Sequence, residues 1–186
     1  KLAAVGMTRQ HIERDQRNVE RARTLAEQIQ DEARLAQALY WLGRLWYVLG
    51  DSAKAIEYAG RSLEIADRRG DESLAAPPVN LMARTYWRSD PPKARRMIER
   101  SVEQMARLGN KGEEATAAAF AALPFAAAGE FARALTYADR GLRLAQEIQN
   151  PLAEAAAYQY RGTLHDQRGE YARAIADYES ARRVAE

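Results

Sequence analysis

Two histidines, no cysteine and a scatter of carboxylates and arginines are the residues in this chain equipped for chemistry. Their spacing argues against a reaction. His11 and His165 lie far apart, and neither has a companion at metal-ligand spacing. Without cysteine there is no thiolate nucleophile, no disulfide and no cysteine metal site. Glu113 and Glu114 are adjacent, so on a helix they point to different faces and read as first-turn charges. The glycines punctuate helical patterns and form no phosphate-cradling loop. The few serines have no histidine partner in a recognisable arrangement, and His165 reads as a side chain packed into a core position. No catalytic residue, metal or cofactor is therefore expected.

Charge excludes further classes. The net charge of +2 on 186 residues is too small to attract nucleic acid in bulk. Arg95-Arg96 and Arg182-Arg183 read as solvated helix faces. No apolar run approaches the roughly 20 residues that cross a bilayer, so neither nucleic acid nor membrane is expected as a partner. The first residues, Lys1-Leu2-Ala3-Ala4-Val5-Gly6, are too short for a signal peptide's apolar region, and the absence of cysteine suits the cytoplasm. The chain opens on Lys1 and stops at Glu186 within a helical pattern, which reads as a piece of a longer polypeptide.

The composition, 47% hydrophobic and 29% charged, is that of a folded protein, and the organisation is repetitive. Ala55, Ala94, Ala134 and Ala174 recur about every 40 residues, each a few positions after Gly50-Asp51, Ser89-Asp90, Gly129-Glu130 and Gly169-Glu170. A fixed period of this size marks a solenoid in which each unit buries its apolar face against its neighbours. Each period holds two amphipathic helices. Leu35, Ala38, Trp41, Leu42, Leu45, Trp46 and Leu49 recur mostly at three- and four-residue steps before Gly50-Asp51 breaks the pattern. Residues from about Thr8 to Gln30 match only the second helix of a unit. The expected organisation is one domain, 1–186, with a partial repeat over 1–30 and repeats over about 31–70, 71–109, 110–149 and 150–186. Pro77-Pro78 predicts a kink or a late start in the second repeat's first helix, and Pro124 a bend in the third's. Short connections make neighbouring helices antiparallel.

These features resemble the tetratricopeptide repeat. Leu42-Gly43-Arg44-Leu45-Trp46 matches the first-helix core, Gly162-Thr163-Leu164-His165 matches it again, and Gly169-Glu170-Tyr171-Ala172-Arg173-Ala174-Ile175 is the cleanest second-helix start. Gly43, Ala83 (or Met82, if the second unit's missing residue is not lost from its turn), Ala122 and Gly162 on one side, and the recurring alanines on the other, let the paired helices approach closely. The period exceeds the usual 34 residues; such long units look like those in the arms of bacterial signalling ATPases and transcription activators, and in animal polarity adaptors. The resemblance implies an all-α, right-handed superhelical solenoid of antiparallel helix pairs with about nine helices.

It also implies that the first helices line a concave groove binding a protein, peptide or helix. Mapped here, that face carries Tyr40, Arg44 and Tyr47, then Asn80, Arg84, Trp87 and Arg88, then Thr116, Phe120 and Leu123, then Gln159, Tyr160, Thr163 and Asp166. Tyr40, Arg44 and Tyr47 stand at i, i+4 and i+7 and share one stripe. The mapped groove is aromatic and basic first, apolar in the middle, and polar to acidic last, and suits a ligand with an acidic group near Arg44 and Arg84. The expected function is a non-catalytic interaction module, the scaffold or sensor arm of a larger bacterial regulator. The alternative is a domain sensing a small effector. The last helix presents Tyr171, Ile175, Tyr178 and Val184 with no helix after it, which predicts self-association through uncapped ends.

Overall fold

The computed structural model describes residues 9–186, with side chains from Arg14 onward. Among the described residues there are nine helices and no strand, in agreement with the all-α expectation. They fall into two compact units that divide between Thr85 and Tyr86. The first contains α1 (Arg9–Gln28), α2 (Glu32–Val48), α3 (Ser52–Arg69) and α4 (Glu72–Tyr86, whose last residue is at the boundary). The second contains α5 (Pro91–Arg107), α6 (Lys111–Ala127), α7 (Phe131–Glu147), α8 (Pro151–Gln167) and α9 (Tyr171–Ala185).

Local chemistry sets the helix ends. Asp31, Asp51, Asp90, Asn110 and Asn150 each accept a hydrogen bond from the backbone N–H three residues on, filling an orphan donor of the first turn. Asp71 does the same for α4, accepting from Leu74 at 3.0 Å. Ahead of every helix from α2 to α9 except α5, the chain turns through a left-handed residue. Glycine fills most of these places, as at Gly50 (φ 84°), but Gln30 (φ 55°) and Gln149 (φ 53°) fill the two ahead of α2 and α8.

The paired helices meet on a surface of very small residues. A Cβ on Gly43 would lie 3.2 Å from the Ala55 carbonyl oxygen and 3.3 Å from the Ala59 nitrogen, so α2 rests on the α3 backbone. In the second unit Gly162 of α8 has the same relation to α9, with the Ala174 carbonyl oxygen at 3.3 Å and the Tyr178 ring at 2.8 Å. Ala83 and Ala122, at the corresponding first-helix positions, are fully buried, as are Ala55, Ala94 and Ala134. The tightest crossing is one the repeat pattern does not reveal: a Cβ on Gly141 of α7 would fall 2.6 Å from the Ala119 nitrogen and 2.8 Å from the Ala115 carbonyl oxygen of α6.

One expectation is corrected. Helix α4 does not start late; it begins at Glu72 and runs through both prolines. The two missing N–H groups are outweighed by packing, because Leu74, Ala75, Ala76, Pro78, Val79, Leu81 and Ala83 are buried on both sides of the defect. Pro124 likewise lies buried inside an uninterrupted α6.

Two glycines separate crowding from backbone entropy. Gly60 is mid-helix, and a methyl group added there would meet nothing within 4 Å. Gly60→Ala should therefore stabilise by about 0.5–1 kcal/mol. Gly141→Ala should instead destabilise by about 1–3 kcal/mol, both read by urea denaturation. The caps make a pH prediction. Asp51 is held below its ordinary 3.8 by hydrogen bonds led by the Lys54 N–H, and Asp71 by the Ser73 hydroxyl and then the Leu74 N–H. A carboxylate with a depressed folded pKa contributes stability above its unfolded value and loses it as pH falls through the folded one. The double variant Asp51→Asn, Asp71→Asn retains the caps, so its unfolding midpoint should vary less with pH below 3.8 than the wild type's.

Candidate functional site

In the first unit, the inward faces of α2 and α4 are consumed by packing, with Leu39, Leu42 and Gly43 buried on α2. That leaves the opposite stripe of α2 outside. Arg44 is exposed, and its guanidinium lies 4.9 Å from the centre of the Trp41 ring. Trp41 meets the half-buried Tyr40 in a tilted contact at 5.5 Å, and Tyr47, 38% exposed, completes the stripe. A cation stacked on indole is pre-ordered, so less side-chain entropy is lost when it meets a carboxylate. On α4, Arg84 donates from Nε to the Asn80 amide oxygen at 2.9 Å.

The structure does not present every residue of the mapped groove. Asn80 is 5% exposed and its amide oxygen already accepts from Arg84, so it acts as a support for that arginine. Phe120, in the second unit, is 2% exposed and meets Tyr160 edge-on at 5.9 Å. It is a packing residue, because its position on α6 faces α8 and not solvent. Trp87 is half-buried with the Arg88 guanidinium 4.6 Å over its ring. On α8, Gln159 and Asp166 are exposed, while Tyr160 and Thr163 are half-buried; the Thr163 hydroxyl donates to the Gln159 carbonyl oxygen. On α6, Leu123 is half-buried and the Thr116 hydroxyl donates to the Glu113 carbonyl oxygen.

A polar cluster that repeat reasoning missed sits in the second unit. Arg161 of α8 forks onto buried Asp177 of α9 through Nε at 2.9 Å and Nη2 at 2.6 Å, and gives Nη1 to Asp139 of α7 at 2.9 Å. These bonds, Asp177 first, hold the guanidinium charged more firmly than usual despite burial. His165 Nδ1 is 2.7 Å from Glu170 Oε2, and its Nε2 is 3.8 Å from Asp177 Oδ2. The His165 contact, with help from Arg168 and Arg173, depresses the Glu170 pKa. The one available signal was that Asp177 follows buried Ala174 by three residues and so shares its inward face. His165 thus joins a polar network and is not packed among apolar groups alone; the side chain of His11 lies outside the described residues. With each side chain hydrogen-bonded to another, the cluster ties three helices together. Among the described residues no group of three His, Cys, Asp or Glu side chains is placed to hold a metal ion. No described helix is long and apolar enough to cross a membrane.

No protein-family model matches the chain, and no curated protein matches it. Solved structures do. BtubC (BKLC) from P. vanneervenii is 24% identical with a TM-score of 0.73, covering 93% of this chain and 73% of that one. A Rap protein complexed with Competence and Sporulation Factor is 16% identical with a TM-score of 0.83, over 95% of this chain and 50% of that one. The signal transduction ATPase with a tetratricopeptide repeat sensor from Pyrococcus horikoshii is 17% identical with a TM-score of 0.67, over 83% of this chain and 24% of that one. This chain thus spans half the length of the Rap protein and about a quarter of the ATPase. The fold is that of tetratricopeptide-like helical repeats.

Removing one partner of the Arg161 fork should be costly. Arg161→Met strands the buried Asp177 carboxylate and is expected to destabilise by about 3 kcal/mol in urea unfolding. Arg161→Met with Asp177→Leu should recover much of that loss, because the uncompensated charge goes with its partner.

Proposed function

We propose that this chain is a non-catalytic protein-interaction module that takes a peptide or helix on the exposed faces of its first helices. Its arginines orient acidic groups on the ligand, and it serves as the scaffold or sensor arm of a larger bacterial, cytoplasmic regulator. The observation that carries the reading is the α2 stripe of Tyr40, Arg44 and Tyr47, with Arg44 stacked on Trp41. Tyrosine, tryptophan and arginine dominate binding energy at interfaces because they bring rigid area and a fork of donors at modest entropic cost. The folded core leaves this combination outside, on a helix whose other face is locked by backbone contact. The Rap protein, of the same fold, was solved complexed with Competence and Sporulation Factor, and the Pyrococcus horikoshii ATPase has a tetratricopeptide repeat sensor. These support a binding role within a larger assembly.

A second reading, small-effector sensing, is favoured by one cleft. Between α2, α3 and α4 lies a space of about 330 Å³ bounded by Gln37, Tyr40, Ser62, Ser73 and Pro77, within the range of small-molecule pockets. The Ser62 and Ser73 hydroxyls are spent on the Ala36 carbonyl oxygen and the Asp71 carboxylate, so Gln37 and Tyr40 supply the polar edge.

Affinity capture with quantitative mass spectrometry tests the leading reading. Arg44 is exposed, so Arg44→Glu leaves the fold intact, and reversing its charge should reduce recovery of the specific partner about tenfold. Undiminished recovery would show that the α2 stripe is not the binding surface.

A further inference from the structure

The paired prolines of α4 leave polar atoms that the helix cannot satisfy. A helical carbonyl accepts from the N–H four residues on, and proline has no N–H. The Ser73 and Leu74 carbonyl oxygens therefore lack the donors that residues 77 and 78 would otherwise supply, while α4 continues on both sides. A carbonyl kept from water is costly unless another donor reaches it. The two oxygens differ in what surrounds them.

Ser73 and Pro77 stand one turn apart, and both line the cleft of about 330 Å³ between α2, α3 and α4. The Ser73 carbonyl points along the helix toward the Pro77 ring, which puts it on the wall of that cleft. Pro78 stands outside the cleft and is fully buried, so the Leu74 carbonyl is turned into the packed side of α4.

The other polar groups of the cleft sort by what they have left to give. The Ser73 hydroxyl donates to the Asp71 carboxylate at 2.7 Å, and the Ser62 hydroxyl to the Ala36 carbonyl oxygen at 2.8 Å. Gln37 is exposed, and its side-chain amide can both donate and accept. The rest of the wall is apolar or aromatic: Ala36, Leu74, Pro77 and the rings of Tyr40 and Trp41, which meet in a tilted pair at 5.5 Å.

Building on the small-effector reading of this same cleft, we propose that it binds a small aromatic molecule through a primary carboxamide. The ligand N–H donates to the Ser73 carbonyl oxygen and takes the place of the helical donor that Pro77 lacks. The ligand oxygen accepts from the Gln37 amide, and its ring packs against Pro77 and the Tyr40–Trp41 pair. A carboxylate of the same shape offers acceptors only and opposes the Ser73 oxygen. The site therefore prefers the amide, although Arg44 and Arg84 lie on the same two helices.

The probe is benzamide, titrated into the isotope-labelled chain and followed by backbone amide chemical shifts. Benzoate and N,N-dimethylbenzamide, which have no N–H to donate, are the comparisons. Benzamide should shift the amides of Gln37, Tyr40 and Ser73 saturably, and each comparison compound should bind about tenfold more weakly. Pro77→Val keeps an apolar wall of similar size and returns an N–H to the Ser73 carbonyl. It should weaken benzamide binding about tenfold while raising the urea midpoint, because the helix regains a bond. Pro78→Val restores the donor of Leu74 instead and should leave benzamide affinity unchanged. Equal binding of the three compounds overturns the proposal but leaves a small-molecule cleft in place. So does a benzamide affinity that is unmoved by Pro77→Val or lowered equally by Pro78→Val. No saturable shift from any of the three at millimolar concentration overturns the proposal and counts against the small-effector reading with it.

Discussion

The architecture depends on helices crossing so closely that a side chain has no room at the contact. At Gly43, Gly141 and Gly162 one helix lies against the backbone of the next at an alanine, with Leu81 also close to Gly43 and the Tyr178 ring close to Gly162. Such crossings bury little area per residue but remove voids almost entirely, and dispersion falls steeply with a gap of even an ångström. The seat is therefore selective in the way a lock is: it takes small residues at close range and rejects larger ones through clash. Helix propensity alone does not hold these helices, most of which are 15–18 residues long; isolated helices of that length are marginal in water.

A surface of alanine and glycine carries little information about register, since one small residue is much like another. Polar contacts supply it. Arg140 on Glu114 fixes α6 on α7, and Arg161 on Asp177 and Asp139 fixes α8 against both of its neighbours. Both arginines are forks with planar, directional donors, so a slip of one residue would strand a buried carboxylate. The Ser62 hydroxyl on the Ala36 carbonyl oxygen plays a smaller part of the same kind between α3 and α2. The same division of labour explains the outside. Once one face of each first helix is spent on backbone contact, its aromatic and basic residues have only the opposite face to occupy.

Much of this was legible because periodicity reports which residues share a face. The recurring alanines, the glycines of Gly43 and Gly162 and the N-cap aspartates each carry their physical reason in the local sequence. What was not legible required two helices at once. Gly141 looks like any helical glycine until α6 is laid against it. Phe120 stands on a first helix at a plausible groove position, but its facing partner, Tyr160 of α8, decides that it is internal. Asp177 shares a face with Ala174, yet only the arrival of Arg161 makes a buried carboxylate there tolerable. The prolines of α4 misled for the opposite reason. Their local penalty is real, and burial of the flanking apolar residues exceeds it.

If close crossings are what hold each helix, then a helix deprived of one should be the least protected. Amide hydrogen exchange measures this directly. Helices α1 and α7 share their final turn geometry, but α7 lies under α6 while the matching face of α1 is open. The account predicts that amides over 19–28 exchange roughly a hundredfold faster than those over 138–147. Equal protection of the two segments would contradict it.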